Sequence, residues 1–261
     1  MIRILNKFLS LFQPALLVEH FAVTDVGNSR ENNEDNYFIS EEKKLFIVAD
    51  GMGGHNAGEV ASQQSTDLLN AYFTDDLLTQ MVNDGVKRIQ AEMLKGLQSV
   101  STEIYKQAQT AEHQKGMGCA IVFALLFNDT IHIGHVGDCR AYLLREDHLT
   151  CLTVDHTVVM DFFKAGEMTL EEVHKSPLKN QLTQAIGSGS QLTPGYTELL
   201  LRKRDRLLFC SDGLWDMVPD EDIKRIISQK NTLEDLTEQL VTAANIAGGE
   251  DNITVLLLSA Q

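Results

Sequence analysis

Acidic residues stand at the ends of several apolar, strand-like runs of this chain. The set consists of Glu34, Asp35, Asp50, Asp138, Asp212 and Asp251. One acid after a strand is ordinary turn chemistry, whereas several carboxylates that converge repel one another unless a cation neutralises them. A converging set therefore predicts a metal site. All the candidate ligands are oxygen donors, which favours Mg²⁺, Mn²⁺ or Ca²⁺ over zinc.

Histidines and glycines near these acids do not change that prediction. His132 and His135 are three residues apart on a predicted strand, so they point to opposite faces and do not form a ligand pair. The glycine-rich run DGMGGHNAGEVAS at 50–62 lacks the GK[ST] ending of a phosphate-binding Walker loop. Its glycines allow the backbone to fold closely around a cation and to offer a carbonyl oxygen.

Short apolar runs alternate with longer helical patterns along the chain. Predicted strands, short and rich in β-branched residues, span 21–26, 37–40, 45–49, 119–127, 130–136, 141–144, 149–153, 195–201, 207–210 and 253–258. Predicted helices span 56–73, 77–109, 157–165, 219–228 and 232–247. Tight turns between neighbouring strands indicate antiparallel pairing. We expect an α+β fold in which two packed antiparallel sheets carry helices on their outer faces.

Charge and cysteine content narrow the function class. The chain has 261 residues, a formal net charge of −15 and a pI near 4.9. This sign argues against a nucleic-acid or anionic-membrane surface, which requires clustered Lys and Arg. The four cysteines form no CxxC pair, and their number and spacing favour a reducing, cytoplasmic compartment.

The sequence indicates a single domain over 20–261, preceded by a short N-terminal extension over 1–19. The extension has apolar residues at helical spacing, which favours a short helix packed on the domain or on a partner. A weak anchor on a membrane surface is the alternative, and membrane contact is not expected. Residues 156–195, with two short helical patterns and a Gly-Ser-Gly-Ser string, are predicted to be a surface excursion of the kind that is often functional.

The chain resembles the metal-dependent protein serine/threonine phosphatases of the protein phosphatase 2C type, in their compact bacterial form. Matching motifs occur in the family's order from residue 20 to the end. They are TDVGNSRENNED at 24–35, FIVADGMGGHNAGEVAS at 46–62, GMGCAIVFALL at 116–126, HVGDCRAYLL at 135–144, LTVDHTVV at 152–159, LTQAIGS at 182–188, LFCSDGLWDMV at 208–218 and EDNITVLLL at 250–258. One such motif is weak evidence, but the ordered set is very specific.

The resemblance implies a site with two tightly bound Mn²⁺ or Mg²⁺ ions and a weaker third ion. By position in the motifs, Asp50 bridges two ions, Gly51 offers its carbonyl to one, and Asp212 and Asp251 complete the other. Arg30 holds the substrate phosphate. The remaining implied ligands are Glu34 and Asp35, directly or through water, and Asp138, which shares the third ion with Asp212.

The implied activity is hydrolysis of phosphoserine and phosphothreonine on proteins by a hydroxide that the metal ions activate, with no phosphoenzyme. A pseudophosphatase that acts as a binding or scaffold module is the alternative, although the main metal acids are present. A cysteine nucleophile at Cys210 lacks a phosphate-cradling loop, and an aspartate nucleophile lacks a DxD motif. The general-acid role of a family histidine is not transferred to His55, because its spacing from Asp50 differs.

The implied partners are phosphorylated protein substrates and the Ser/Thr protein kinase that phosphorylates them. The 156–195 segment resembles the family's flap, which borders the cleft. It carries Lys164, Lys175 and Lys179 in an otherwise acidic protein. These lysines either help to recruit acidic phosphopeptides or are ordinary solvated helix charges.

Overall fold

The structure, a computed structural model, describes residues 16–53, 57–110, 114, 116–189 and 191–261. Within these residues every predicted strand is confirmed, with small shifts at the ends. The strands are β1 Val18–Asp25, β2 Asp35–Ser40, β3 Leu45–Met52, β4 Gly118–Phe127, β5 Thr130–Val136, β6 Arg140–Arg145, β7 His148–Cys151, β8 Gly195–Leu200, β9 Arg206–Cys210 and β10 Ile253–Ala260.

The predicted helices are also confirmed, with one division and one addition. The helices of the described residues are α1 Ala57–Tyr72, α2 Asp75–Asp84, α3 Val86–Thr110, α4 Val158–Lys164, α5 Leu170–Lys175, α6 Asp212–Trp215, α7 Asp220–Ile227 and α8 Leu233–Ala247. The stretch predicted at 77–109 is divided into α2 and α3 at Gly85, whose φ of 85° ends a helix. The short helix α6 was not predicted.

The strands form two five-stranded sheets in which all paired neighbours are antiparallel. Sheet A has the order β1-β10-β9-β6-β7 and sheet B the order β2-β3-β4-β5-β8. This arrangement confirms the predicted α+β sandwich. Within the described part of the chain, none of the helices combines the length and apolar composition that a bilayer crossing requires.

Three apolar layers hold the sandwich together because successive side chains of a strand face opposite sides. On β3, Leu45 and Ile47 pack against α1–α3, whereas Phe46 and Val48 pack between the two sheets. The third layer lies between sheet A and helices α7 and α8. The sandwich therefore has the layer order helix, sheet, sheet, helix.

The structure describes only the last residues of the predicted N-terminal extension, but nearly all of the flap-like segment 156–195. β1 begins at Val18, and residues 1–15 of the predicted extension lie outside the described residues. The division into 1–19 and 20–261 stays a prediction. The flap-like segment 156–195 carries α4 and α5 and is joined to the sandwich by the isolated bridge Cys119–Ile186.

Candidate functional site

The site begins where the layer between the two sheets becomes polar on sheet B. Asp50 follows Phe46 and Val48 on the same face of β3, and it pairs in register with Asp35 of β2 and with Ala120 of β4. The sequence had suggested that Asp50 follows the strand. The structure instead places Asp50 within β3. The alternation that buries Phe46 and Val48 also directs the Asp50 carboxylate toward the other sheet.

Sheet A meets these acids with polar residues of its own. Ser211, two residues after the buried Phe209, donates a hydrogen bond from Oγ to Asp35 Oδ2 at 2.6 Å. The same oxygen accepts a bond from the Thr254 backbone N–H at 2.9 Å. Asp212 follows Ser211 as the first residue of α6. The two sheets are thus joined by hydrogen bonds at this end, directly behind the acids.

A cleft of about 610 Å³ opens at this end of the sandwich. It is lined by Arg30, Glu34, Asp50, Gly51, Asp138, Asp212 and Asp251, and on its far side by flap residues 180–185 and Ser188. All the predicted site residues except Asp35 line it. Asp35 is 8% exposed and lies beside Asp50 on the neighbouring strand, where it accepts a hydrogen bond from Ser211.

Four acids of the site have raised pKa values because burial penalises their charged form; they are Asp35, Asp50, Asp138 and Asp212. Burial is the largest cause at Asp50 and Asp212, where it raises the pKa well above the usual range, and the neighbouring carboxylates raise it further. Burial also raises the pKa of Asp35 to about 6 and that of Asp138 to about 7. Without a proton or a cation, this end of the sandwich carries uncompensated buried charge.

The donor set fits a hard divalent cation. Asp212 Oδ1 is buried and has no hydrogen-bond partner within the described structure, although an acceptor of this kind is costly to leave unpaired. No three His, Cys, Asp or Glu side chains among the described residues are close enough to enclose an ion by themselves. Water and backbone oxygens would have to complete the coordination, as they usually do for Mg²⁺.

Gly51 occupies a position that only glycine fits. A Cβ atom at Gly51 would lie 2.2 Å from the Gly58 carbonyl oxygen and 2.4 Å from that of Glu34. The Gly51 N–H also donates to the Glu34 carbonyl at 3.1 Å. The start of α1 and the loop before β2 therefore pack tightly on Gly51, which lines the cleft beside Asp50.

Arg30 lies at the rim of the cleft on the loop that joins β1 to β2. Its Nη2 donates to Asp251 Oδ2 at 2.6 Å, and its side chain is 50% exposed. The guanidinium thus combines solvent access with a position beside the acids. A planar guanidinium in such a position can bind two oxygens of a phosphate.

Asp138 rests on a network that sequence reasoning missed. Its carbonyl oxygen accepts a bond from Trp215 Nε1 at 3.0 Å. The Arg140 guanidinium lies 3.6 Å from the Trp215 ring centroid and forms a fork with Asp155, with Nη2 to Oδ2 at 2.6 Å. The one sequence feature that could have indicated this network is the single tryptophan, Trp215, three residues after the candidate ligand Asp212.

The three lysines of the flap-like segment all pair with acids. Lys164 and Lys175 pair with acids on their own helices, at 3.7 Å to Asp161 and 2.6 Å to Glu171. Lys179 instead pairs with Asp216, four residues after Asp212. His55 lies outside the described residues.

Cys210 is fully buried, and this burial raises the pKa of its thiol well above the usual range. A reactive cysteine needs a lowered pKa and access to substrate. The structure therefore gives no support to a cysteine nucleophile at this position.

Comparison with known proteins agrees with this geometry. Residues 19–161 match the family model of protein phosphatase 2C. The serine/threonine phosphatase stp of Listeria innocua is 39% identical over 240 residues, which cover 90% of this chain and 93% of that protein.

Two solved structures are similar over nearly the whole chain. A serine/threonine phosphatase of S. agalactiae has a TM-score of 0.86 at 36% identity, covering 94% of this chain and 100% of that one. The catalytic domain of the serine/threonine phosphatase PstP, in complex with two manganese ions, has a TM-score of 0.78 at 32% identity, covering 94% and 99%. These findings do not support the pseudophosphatase alternative. The chain belongs to the protein phosphatase 2C family of metal-dependent protein serine/threonine phosphatases.

Proposed function

We propose that the cleft is the phosphatase active site and that its acids hold two metal ions. The carboxylates of Asp50, Asp212 and Asp251 and the carbonyl oxygen of Gly51 would hold them. The observation that carries this proposal is the buried carboxylate cluster, in which Asp212 Oδ1 has no partner among the described residues. A cation would satisfy that oxygen and compensate the buried charge.

The ions are Mn²⁺ or Mg²⁺, with a third, weaker ion at Asp138 and Asp212. The two manganese ions of the PstP structure support the first part. When bound, such ions supply Lewis-acid activation of a water molecule and neutralise charge on the phosphate. Hard cations that are held mainly by water bind weakly, which would make the ion at Asp138 the weaker one.

The protein's own groups orient the substrate. Arg30 binds the phosphate oxygens through its guanidinium fork, which is exposed at the rim. Glu34 lines the cleft and holds an ion directly or through water. Asp35 lies beside Asp50 and accepts a bond from Ser211 but does not line the cleft, so its own contact with an ion would be through water.

Phosphorylated proteins are the substrates, and we propose that a Ser/Thr protein kinase produces them. Lys179, next to the cleft residue Asn180 and paired with Asp216 outside the flap, is better placed than Lys164 or Lys175 to meet an acidic phosphopeptide. A cytoplasmic location is supported by the four cysteines, none of which is in a disulfide.

Metal removal tests the proposal. Protein stripped with a chelator and desalted should not hydrolyse a phosphothreonine peptide, and added Mn²⁺ should restore hydrolysis. Asp50→Asn should stay inactive at saturating Mn²⁺, whereas Asp67→Asn, on α1 and bonded to Gln63, should behave as the wild type. Full activity of the stripped protein, or an active Asp50→Asn variant, would overturn the proposal.

A further inference from the structure

A buried asparagine holds the loop that carries Arg30. Asn252, directly before β10, is 4% exposed. Its Oδ1 accepts a bond from the Glu34 N–H at 2.8 Å. Its Nδ2 donates to the carbonyl oxygens of Val26 at 2.9 Å and Asn32 at 3.0 Å. Both donors of the amide are used, and one side chain fixes three points of the loop between β1 and β2.

The same residue also holds the partner of Arg30. The Asn252 backbone N–H donates to Asp251 Oδ1 at 2.8 Å, while Asp251 Oδ2 accepts from Arg30 Nη2 at 2.6 Å. Arg30 lies between two of the carbonyls that the Asn252 side chain binds. Asn252 therefore determines both the position of the arginine's loop and the orientation of the carboxylate beside it.

Other bonds would keep the loop attached without this side chain. The Asn28 and Ser29 N–H groups both donate to the Gly249 carbonyl, at 2.8 and 3.1 Å. Asn28 Nδ2 also donates to the Asn245 carbonyl at 2.8 Å. Loss of the Asn252 side chain should thus displace Arg30 and Glu34 by a small distance and leave the loop on the domain.

We propose that Asn252 is a positioning residue for phosphate-ester hydrolysis. It sets Arg30 and Glu34 relative to Asp251 and does not itself line the cleft. The inference rests on the proposed role of Arg30 in phosphate binding. A guanidinium displaced by even a fraction of an ångström makes weaker hydrogen bonds to the phosphate. Loss of the Asn252 side chain should therefore weaken substrate binding more than metal binding.

A double-mutant cycle between Asn252 and Arg30 tests this proposal. Asn252→Ala should lower kcat/KM on a phosphothreonine peptide by about 10- to 100-fold, mainly through KM. Arg30→Ala should have an effect of similar size, and the double variant should be no more than about 3-fold worse than Arg30→Ala alone. Calorimetric titration with Mn²⁺ should give the wild-type number of sites, because the acids remain.

Asn36→Ala provides the matched control, since this asparagine bonds Thr66 Oγ1 at 2.8 Å and not the Arg30 loop. Its effect should stay within about 2-fold and add to that of Arg30→Ala. If Asn252→Ala is unfolded at the assay temperature, Asn252→Asp keeps the size and the Oδ1 acceptor, and the cycle is repeated with it.

Two results separate the possible failures. Additive effects of the Asn252 and Arg30 variants, or wild-type kinetics of the Asn252 variant, would overturn this inference alone. Wild-type kinetics of Arg30→Ala would remove the proposed role of Arg30 and the inference with it.

Discussion

The layer between the two sheets is apolar in its middle and acidic at its open end. On β3, Phe46 and Val48 belong to the middle, and Asp50 follows them on the same face. On sheet A, Phe209 of β9 belongs to the middle and Ser211 follows it. The same strands, with the same alternation, thus build both the core and the site.

The two regions differ in what keeps them folded. Side chains in the middle stabilise the protein simply by leaving water. The acids at the end are buried or half-buried as well, yet the burial of Asp50 and Asp212 is unfavourable until a proton or cation compensates the charge. The acidic end of the layer therefore lowers the stability of the metal-free protein and provides the ligands for metal binding.

Asp212→Asn should have the largest effect on activity. Without this carboxylate, turnover of a phosphothreonine peptide should fall by at least about 10³-fold. The metal-free variant should nevertheless be more stable than metal-free wild type at pH 8, by about 1–3 kcal/mol, because a neutral amide replaces a buried acid. Mn²⁺ should raise the melting temperature of the wild type far more than that of the variant.

Phe46→Ala is the matched change in the middle of the layer. It should lower the free energy of unfolding by about 3–5 kcal/mol and leave kcat/KM near the wild-type value at temperatures where it is folded. If Phe46→Ala is as stable as the wild type, or metal-free Asp212→Asn is less stable than the metal-free wild type, the two regions do not differ in this way.

Asp138→Ala should have the second largest effect. We expect the two tight ions to remain bound and kcat to fall by about 10²- to 10³-fold, because one electrostatic element near the phosphate is lost. Calorimetry beside kinetics measures both quantities. Loss of the tight sites would make Asp138 a core ligand, and unchanged turnover would make it a turn residue.

The stabilisation that Mn²⁺ provides should grow as pH rises from 5 to 7.5. Burial raises the folded-state pKa of Asp35 to about 6 and of Asp138 to about 7, above the unfolded values, so these acids reduce stability once pH exceeds the unfolded pKa. A cation removes this cost but must displace protons at low pH. For each proton that Mn²⁺ must displace, its affinity should be about 100-fold lower at a pH two units below the folded-state pKa of that acid.

Thermal unfolding with and without Mn²⁺ at both pH values measures this effect. Burial also lowers the pKa of His156 to about 4, so acid destabilises the fold both with and without Mn²⁺. That contribution is common to both samples and cancels in the difference. A Mn²⁺-dependent shift that is equal at the two pH values would contradict the assignment of the acids.

Among the substitutions at the cleft, Arg30→Ala should have the smallest effect on activity. Loss of a charge-assisted hydrogen bond to phosphate should lower kcat/KM by about 10- to 100-fold, chiefly by raising KM. Metal affinity should change little, because Arg30 is at the rim. Steady-state kinetics beside a Mn²⁺ titration gives both values, and unchanged kinetics would assign Arg30 a structural role.

Much of the fold could be predicted because its strands are short apolar runs with clear turns between them. The acids of the cleft could be predicted as well, since strand-end carboxylates at Asp50, Asp138 and Asp212 stood out against apolar neighbours. Their mutual arrangement came from the family's motifs and from the register of β2 and β3, which places Asp35 opposite Asp50.

The rest depended on long-range contacts that no local pattern reveals. Asn252 reaches a loop more than 200 residues away in sequence, with Glu34 at a separation of 218. Ser211 and Asp35 are on different sheets, so their bond follows from how the sheets pack. The position of Asp35 behind the cleft, and not on its wall, follows from the same packing.

Anomalous diffraction from crystals soaked in Mn²⁺ would locate the metal ions at the cleft. We expect two strong peaks at the open end of the layer between the sheets, on either side of Asp50, with Gly51, Asp212 and Asp251 among the ligands. In crystals of Asp212→Asn grown the same way, at least one of these peaks should weaken or disappear. Manganese bound elsewhere, or an empty cleft in wild-type crystals of active enzyme, would show that these acids do not hold the metal ions.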